Sequence, residues 1–188
     1  MAARKTLVDD ATLTKQLRRL QKILPDATCA LVHRNGWELL IATILAAQCT
    51  DKVVNEVTPA LFERYPGPAD LAVADVEAVQ TLVGRVTFFR NKSKNIIATA
   101  QAIMNQHGGE VPRTMEALVE LPGVARKTAN VVLGTAYGIP SGFVVDTHVA
   151  RLTNRLGFVS ADNPVAIEAA MMERVPKKRW ILLAHRCV

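Results

Sequence analysis

Two residues of this chain have the types needed for covalent chemistry at an electrophilic carbon: Lys127 and, a helix and a turn further along, Asp146. A lysine amine attacks only when neutral, and an unperturbed pKa near 10.4 leaves under about 0.1% of it neutral at pH 7. Burial and neighbouring positive charge lower that value. Lys127 follows Arg126 at the positive end of an expected helix. The sequence therefore predicts an amine depressed toward reactivity and able to form a Schiff base. Asp146 follows the apolar run FVV and precedes Thr-His, where it can cap a helix for about 1 kcal/mol. The same carboxylate, facing a cleft, can steady an oxocarbenium-like sugar cation or accept a proton from an attacking group.

The lysine sits in the stretch LPGVARKTANVV, residues 121–132. Pro122 fixes its own φ and donates no hydrogen bond, Gly123 accepts conformations closed to other residues, and a helix must begin within two residues. Such a turn leaves backbone N–H groups facing outward at a helix N-terminus, so it can grip a phosphate oxygen without reading a base. Val124, Thr128, Ala129, Val132 and Leu133 share the face that should be buried. Arg126 and Lys127 fall outside it, near a dipole end where cations are mildly unfavourable.

The elements that must hold these residues read as helices throughout, because apolar residues recur at helical spacing and turn residues cut the chain into helix-sized pieces. The expected fold class is all-α. Asp9 or Asp10 should cap a first helix with Leu13, Leu17, Leu20 and Leu24 on one face. Further helices are expected over 36–48 and from Thr50 or Asp51 to near Tyr65. Two short ones, each started by an Asp, should lie in PGPADLAVADVEAVQTLVG, and a longer one through NKSKNIIATAQAIMNQH. Pro112 should open a short helix ending at Glu120; the next runs to Gly138, Asp146 caps another, Asn163 and Pro164 start a further one, and KKRWILLAHRCV begins the last. The FVV run is too short to argue for a sheet. The IPSG joint divides the chain into a helical domain over 26–139 and a second lobe from 1–25 plus 140–188.

Bulk properties narrow the partners. The formal charge of +6 and a pI near 9.5 favour polyanions, and 49% hydrophobic residues can bury a core. The longest apolar run, LLIATILAA, is far below the roughly 20 residues of a membrane-spanning helix. With no signal core or lipid motif, the expected protein is soluble and intracellular. Three widely separated cysteines, Cys29, Cys49 and Cys187, offer neither a disulfide framework nor a zinc spacing.

LPGVARKTANVV followed by VVDTHVARLTNRLG resembles the helix-hairpin-helix and Gly/Pro-Asp signature of DNA base-excision glycosylases, most closely the endonuclease III family. AAQCTDKVVN, FFRNKSKNI and HGGEVPRTMEAL are similar to that family in the same order, so the likeness runs over roughly 20–175. It implies two helical lobes flanking a DNA-binding cleft and a bifunctional enzyme. That enzyme would remove a damaged pyrimidine from double-stranded DNA, then cleave the strand by β-elimination at the abasic site. Lys127 matches the Schiff-base lysine and Asp146 the aspartate that activates it or steadies the sugar cation. A base inside a duplex must be flipped out. Gln48 matches the residue that enters the vacated space, and Phe88 stands near the second wedge position. Arg90 and Lys92, in the basic, acid-free stretch RVTFFRNKSK, are expected to contact DNA, as are Pro122, Gly123, Ala125 and Arg126 of the hairpin. The implied protein is a cytoplasmic monomer, nucleoid-associated when bound to DNA.

The pattern departs from the family in three places. Ala125 and Thr87 stand where glycines are usual, which predicts a hairpin backbone that must tolerate a Cβ and an altered wedge loop. The family's [4Fe-4S] cluster sits on four cysteines, whereas only Cys187 is present in that region. Cys187 would be the first ligand only if the native chain continues past residue 188, and these residues complete no cluster. Two rival readings are a non-catalytic helix-hairpin-helix DNA-binding module and a monofunctional mismatch adenine glycosylase. The second needs a catalytic acid in the helix reading IATILAAQ, and no Asp or Glu occurs over 39–48.

Overall fold

The computed structural model describes residues 6–187. Residues 1–5 and 188, which the sequence division assigns to the second lobe, lie outside the described residues. The helices, in chain order, are α1 (Asp10–Ile23), α2 (Gly36–Ala46), α3 (Asp51–Arg64), α4 (Pro68–Ala72), α5 (Val76–Val83), α6 (Phe89–His107), α7 (Met115–Val119), α8 (Arg126–Tyr137), α9 (Thr147–Arg155), α10 (Pro164–Arg174) and α11 (Trp180–Arg186). No strand occurs among the described residues, so the chain is all α there. It forms two compact units: Ala30–Tyr137, and the segment through Cys29 joined with the chain from Gly138 onward.

In the unit Ala30–Tyr137, α2 is apolar on every side, and Leu39, Leu40, Ile41, Ala42 and Leu45 have no exposed surface. A helix of that kind belongs at the centre of a core. It packs against α3, α6 and α8, while α6 is also covered by α4 and α5. The start of α2 is fixed locally: Asn35 Oδ1 accepts from the Glu38 N–H, and Glu38 in turn accepts from the Arg34 N–H and Nε, each at 2.7 Å. Gly36 is required there. The Tyr137 hydroxyl lies 2.3 Å from where a Cβ on residue 36 would sit, and the Arg113 guanidinium stacks over that Tyr137 ring at 4.9 Å.

In the other unit, α1, α9, α10 and α11 enclose a core that includes Leu13, Leu17, Phe143, Val149, Phe158, Met171 and Trp180. Arg174 ties its distant segments together, donating from Nη1 to the Phe158 carbonyl at 2.6 Å and from Nη2 to the Val8 carbonyl.

Side chains cap most helices as the composition suggests, with Asp9, Thr50, Asp75, Asp146 and Asn163 each accepting from the N–H three residues on. Two starts differ from expectation. Helix α4 begins at Gly67 and Pro68 rather than at Asp70, whose carboxylate reaches back to the Gly67 N–H at 3.0 Å. Helix α7 begins at Thr114, not Pro112, because the Thr114 hydroxyl supplies the acceptor for the Ala117 N–H that proline cannot. The stripe on α1 also narrows: Leu13 and Leu17 are buried, but Leu24 is 43% exposed beyond the helix end.

Candidate functional site

The hairpin between α7 and α8 is built on α6. Leu121 and Val124 are buried on either side of the turn, and the Val124 N–H donates to the Leu121 carbonyl at 3.1 Å. The Thr99 hydroxyl, on the buried face of α6, donates to the Pro122 carbonyl at 2.6 Å. Gly123 has φ +77°, and a Cβ there would meet Asn95 Nδ2 at 3.0 Å. Both the backbone conformation and the close approach therefore demand glycine. Gly123→Ala is expected to cost about 1–2 kcal/mol from the left-handed backbone alone and to weaken duplex binding. Thermal melting and fluorescence anisotropy check this; parent-like melting would show that the turn relaxes freely.

Ala125 turns out to be undemanding. Gln48 and Phe88 are the non-glycine residues with positive φ among the described residues, so Ala125 and Thr87 both keep ordinary backbone. The methyl of Ala125 is exposed, and its carbonyl accepts the first helical bond of α8, from the Ala129 N–H at 3.0 Å. Neither residue carries the cost of a left-handed backbone. Helix α8 then starts at Arg126, with its first-turn N–H groups and positive dipole end directed at the turn.

Lys127 lies exposed in that first turn. As its place outside the buried stripe of Ala129 and Val132 predicts, its side chain faces outward.

Gln48 has φ +55° and Phe88 has φ +59°, and both are exposed, Phe88 to 61%. A left-handed backbone at a non-glycine residue costs roughly 1–2 kcal/mol and persists only where surroundings enforce it. Each therefore marks a corner that the fold holds against local preference. Phe88 forms no part of the core despite its apolar character; it is the residue from which α6 starts. Arg90 is exposed, with its guanidinium 4.9 Å from the Phe89 ring centroid.

Lys92 is a correction. It is 6% exposed, so it is not a surface cation offered to phosphates. Its ammonium donates to the Leu45 carbonyl at 2.8 Å and the Ala47 carbonyl at 2.5 Å, at the end of α2. Burial lowers its pKa, partly opposed by the nearby Cys49. The signal was present in the sequence: Lys92, Ile96, Thr99 and Ile103 follow helical spacing along one buried face of α6. Thr99, which anchors the hairpin, and Asn95, which packs close to Gly123, were missed.

Asp146 caps α9, accepting from the Val149 N–H at 2.7 Å, and is half-buried. Cys187 lies in the same unit, buried beside Trp180, Leu183 and Ala184. Burial, reinforced by the Asp146 carboxylate, pushes its thiol up from 9.0 to about 11. No group of three or more metal-binding side chains occurs among the described residues, so of the four thiolates a [4Fe-4S] cluster needs, Cys187 is the one they offer and they do not fit that cluster. The folded-state value exceeds the unfolded one, so the stabilisation from the neutral thiol is complete below pH 9 and is lost as pH rises through about 11. Chemical denaturation should show about 2–3 kcal/mol lost across that window, a loss that Cys187→Val removes; an unchanged profile would place the thiol in contact with solvent.

No helix among the described residues is long and apolar enough to cross a membrane. The family described as "HhH-GPD superfamily base excision DNA repair protein" matches residues 41–177. Endonuclease III of Synechocystis sp. is 51% identical over 167 residues, covering 89% of this chain and 76% of its own. Endonuclease III of Bacillus subtilis is 43% identical, covering 92% of this chain and 78% of its own. A solved structure of a trapped endonuclease III–DNA covalent intermediate superposes with a TM-score of 0.91 at 42% identity, over 96% of this chain and 85% of that one.

Proposed function

The chain belongs to the endonuclease III family of HhH-GPD base excision DNA repair proteins, and on that basis we propose how its own residues divide the work of a DNA glycosylase and abasic-site lyase. The substrate is double-stranded DNA carrying a damaged pyrimidine or an abasic site. The turn at Pro122 and Gly123, with Ala125 and Arg126, grips backbone phosphate, while Arg90 adds an exposed cation. Gln48 and Phe88 enter the space left by the extruded nucleotide.

Lys127 attacks the sugar carbon that carried the base, the carbon–nitrogen bond to the base breaks, and the base leaves with a proton. The Lys127 nitrogen then pushes out the ring oxygen, whose bond to that carbon breaks and which takes a proton from water, leaving the opened sugar as an iminium on Lys127. Loss of a proton from the neighbouring sugar carbon breaks the carbon–oxygen bond to the 3′ phosphate, and water releases the enzyme. Asp146 stabilises the positive charge that builds on the sugar during base loss.

The observation that carries this reading is the exposed Lys127 one residue inside a helix that starts directly after the anchored Pro-Gly turn. A mismatch adenine glycosylase fits less well, because the acid of α2, Glu38, is buried and committed to Arg34. Borohydride reduction on duplexes containing an abasic site or thymine glycol tests the proposal. A covalent adduct is expected; normal duplex binding without one would leave a non-catalytic binding module.

A further inference from the structure

One residue reaches both left-handed corners of the unit Ala30–Tyr137. The backbone N–H of Lys92 donates to the Phe88 carbonyl at 3.1 Å, and its ammonium donates to Ala47, the carbonyl immediately before Gln48. A second ammonium bond, to Leu45, anchors the same contact to the end of α2. Those carbonyls lie where a helix leaves acceptors without intrahelical partners and carries partial negative charge, so they replace the water that the buried ammonium has lost.

We propose that Lys92 is the positioning residue for nucleotide extrusion, locking Gln48 and Phe88 into a single preformed insertion unit. The proposal rests on the reading of those two side chains as the ones that fill the opened stack. Stability alone is a poor explanation for this lysine, since an apolar side chain of similar volume avoids burying a charge and is often as stabilising. Conformational specificity is what the ammonium adds. Residues such as Gln48 and Phe88 revert to ordinary φ unless held, and loops that must be ordered during insertion slow it. With the α2 corner tied through the ammonium and the Phe88 corner through the backbone N–H of the same residue, their order is established before DNA arrives.

The test compares Lys92→Met with the parent on two probes. On a duplex containing thymine glycol, kcat for excision should fall about 10- to 100-fold, the scale of a misplaced positioning contact, with KM little changed. On a single strand containing a preformed abasic site, borohydride trapping should stay within about threefold, because nothing need leave a stack. Fluorescence of 2-aminopurine beside the lesion should report slower opening. In a Gln48→Ala background, Lys92→Met should add less than about threefold, since the two share one function.

Equal losses on both probes, or fully additive losses, would overturn the role of Lys92 while leaving the enzyme reading intact. Unchanged duplex excision would do the same. If the parent chain traps on neither probe, the enzyme reading falls and the inference with it. Should Lys92→Met fail to fold, a Gln48→Ala and Phe88→Ala cycle decides: coupling beyond about threefold supports one insertion unit, and additivity overturns it.

Discussion

Lys127→Ala is expected to eliminate the borohydride-trapped adduct, a loss of roughly 10³-fold or more, as befits removal of a covalent nucleophile. The fold should not suffer. Lys127 is exposed in the first turn of α8, where a cation opposes the helix dipole, so stability should change by less than about 0.5 kcal/mol. Duplex affinity should drop by no more than about fivefold, the effect of one exposed charge contact. Lys127→Arg separates charge from chemistry. The guanidinium keeps the cation but is never deprotonated in proteins, so binding should match the parent while trapping stays at background. Persistent trapping by either variant would move the nucleophile elsewhere, with the adducted peptide identifying it by mass spectrometry.

What the sequence made legible and what it hid follow from the same physics. Caps such as Asp9, Thr50 and Asn163 are local, one side chain bonding an N–H three residues away, so composition revealed them. The Pro122–Gly123 turn is equally local. Its setting is not: Thr99 anchors it and Asn95 crowds Gly123 across more than twenty residues, and nothing in the turn's own sequence names them. Lys92 was misread because a basic stretch was read by its charge rather than by its helical period. A long aliphatic stem allows a lysine to lie in a core stripe, provided acceptors meet its end, and those acceptors belong to a different helix. Phe88 presents the converse case. An aromatic side chain suggests burial, yet the left-handed backbone that starts α6 leaves it 61% exposed. Lys92 carried too much functional meaning at sequence level, because a contact with another helix decides its place.

Asp146→Asn is expected to lower excision of a damaged base by about 10²- to 10⁴-fold, the range for loss of a positioned acid–base or charge-stabilising carboxylate. The substitution isolates chemistry from structure because asparagine caps helices about as well as aspartate. The bond from the Val149 N–H should persist, and stability should hold within about 0.5 kcal/mol. Asp146→Ala, which loses the cap as well, should melt lower by about 1 kcal/mol. A second readout lies in the same unit. Removing the carboxylate's charge should let the Cys187 thiol ionise at somewhat lower pH, while burial, the larger cause, keeps it raised. The alkaline loss of stability should then start at the same pH but level off sooner and total less in the asparagine variant, a change that reports an intact environment around residue 146. Trapping at a preformed abasic site distinguishes the two roles open to the carboxylate. The aldehyde form of that site reacts without an oxocarbenium-like sugar, so a charge-stabilising Asp146 leaves trapping within about tenfold of the parent. A comparable collapse of both activities would instead make it the proton acceptor for Lys127, and full activity in the asparagine variant would reduce Asp146 to a helix cap.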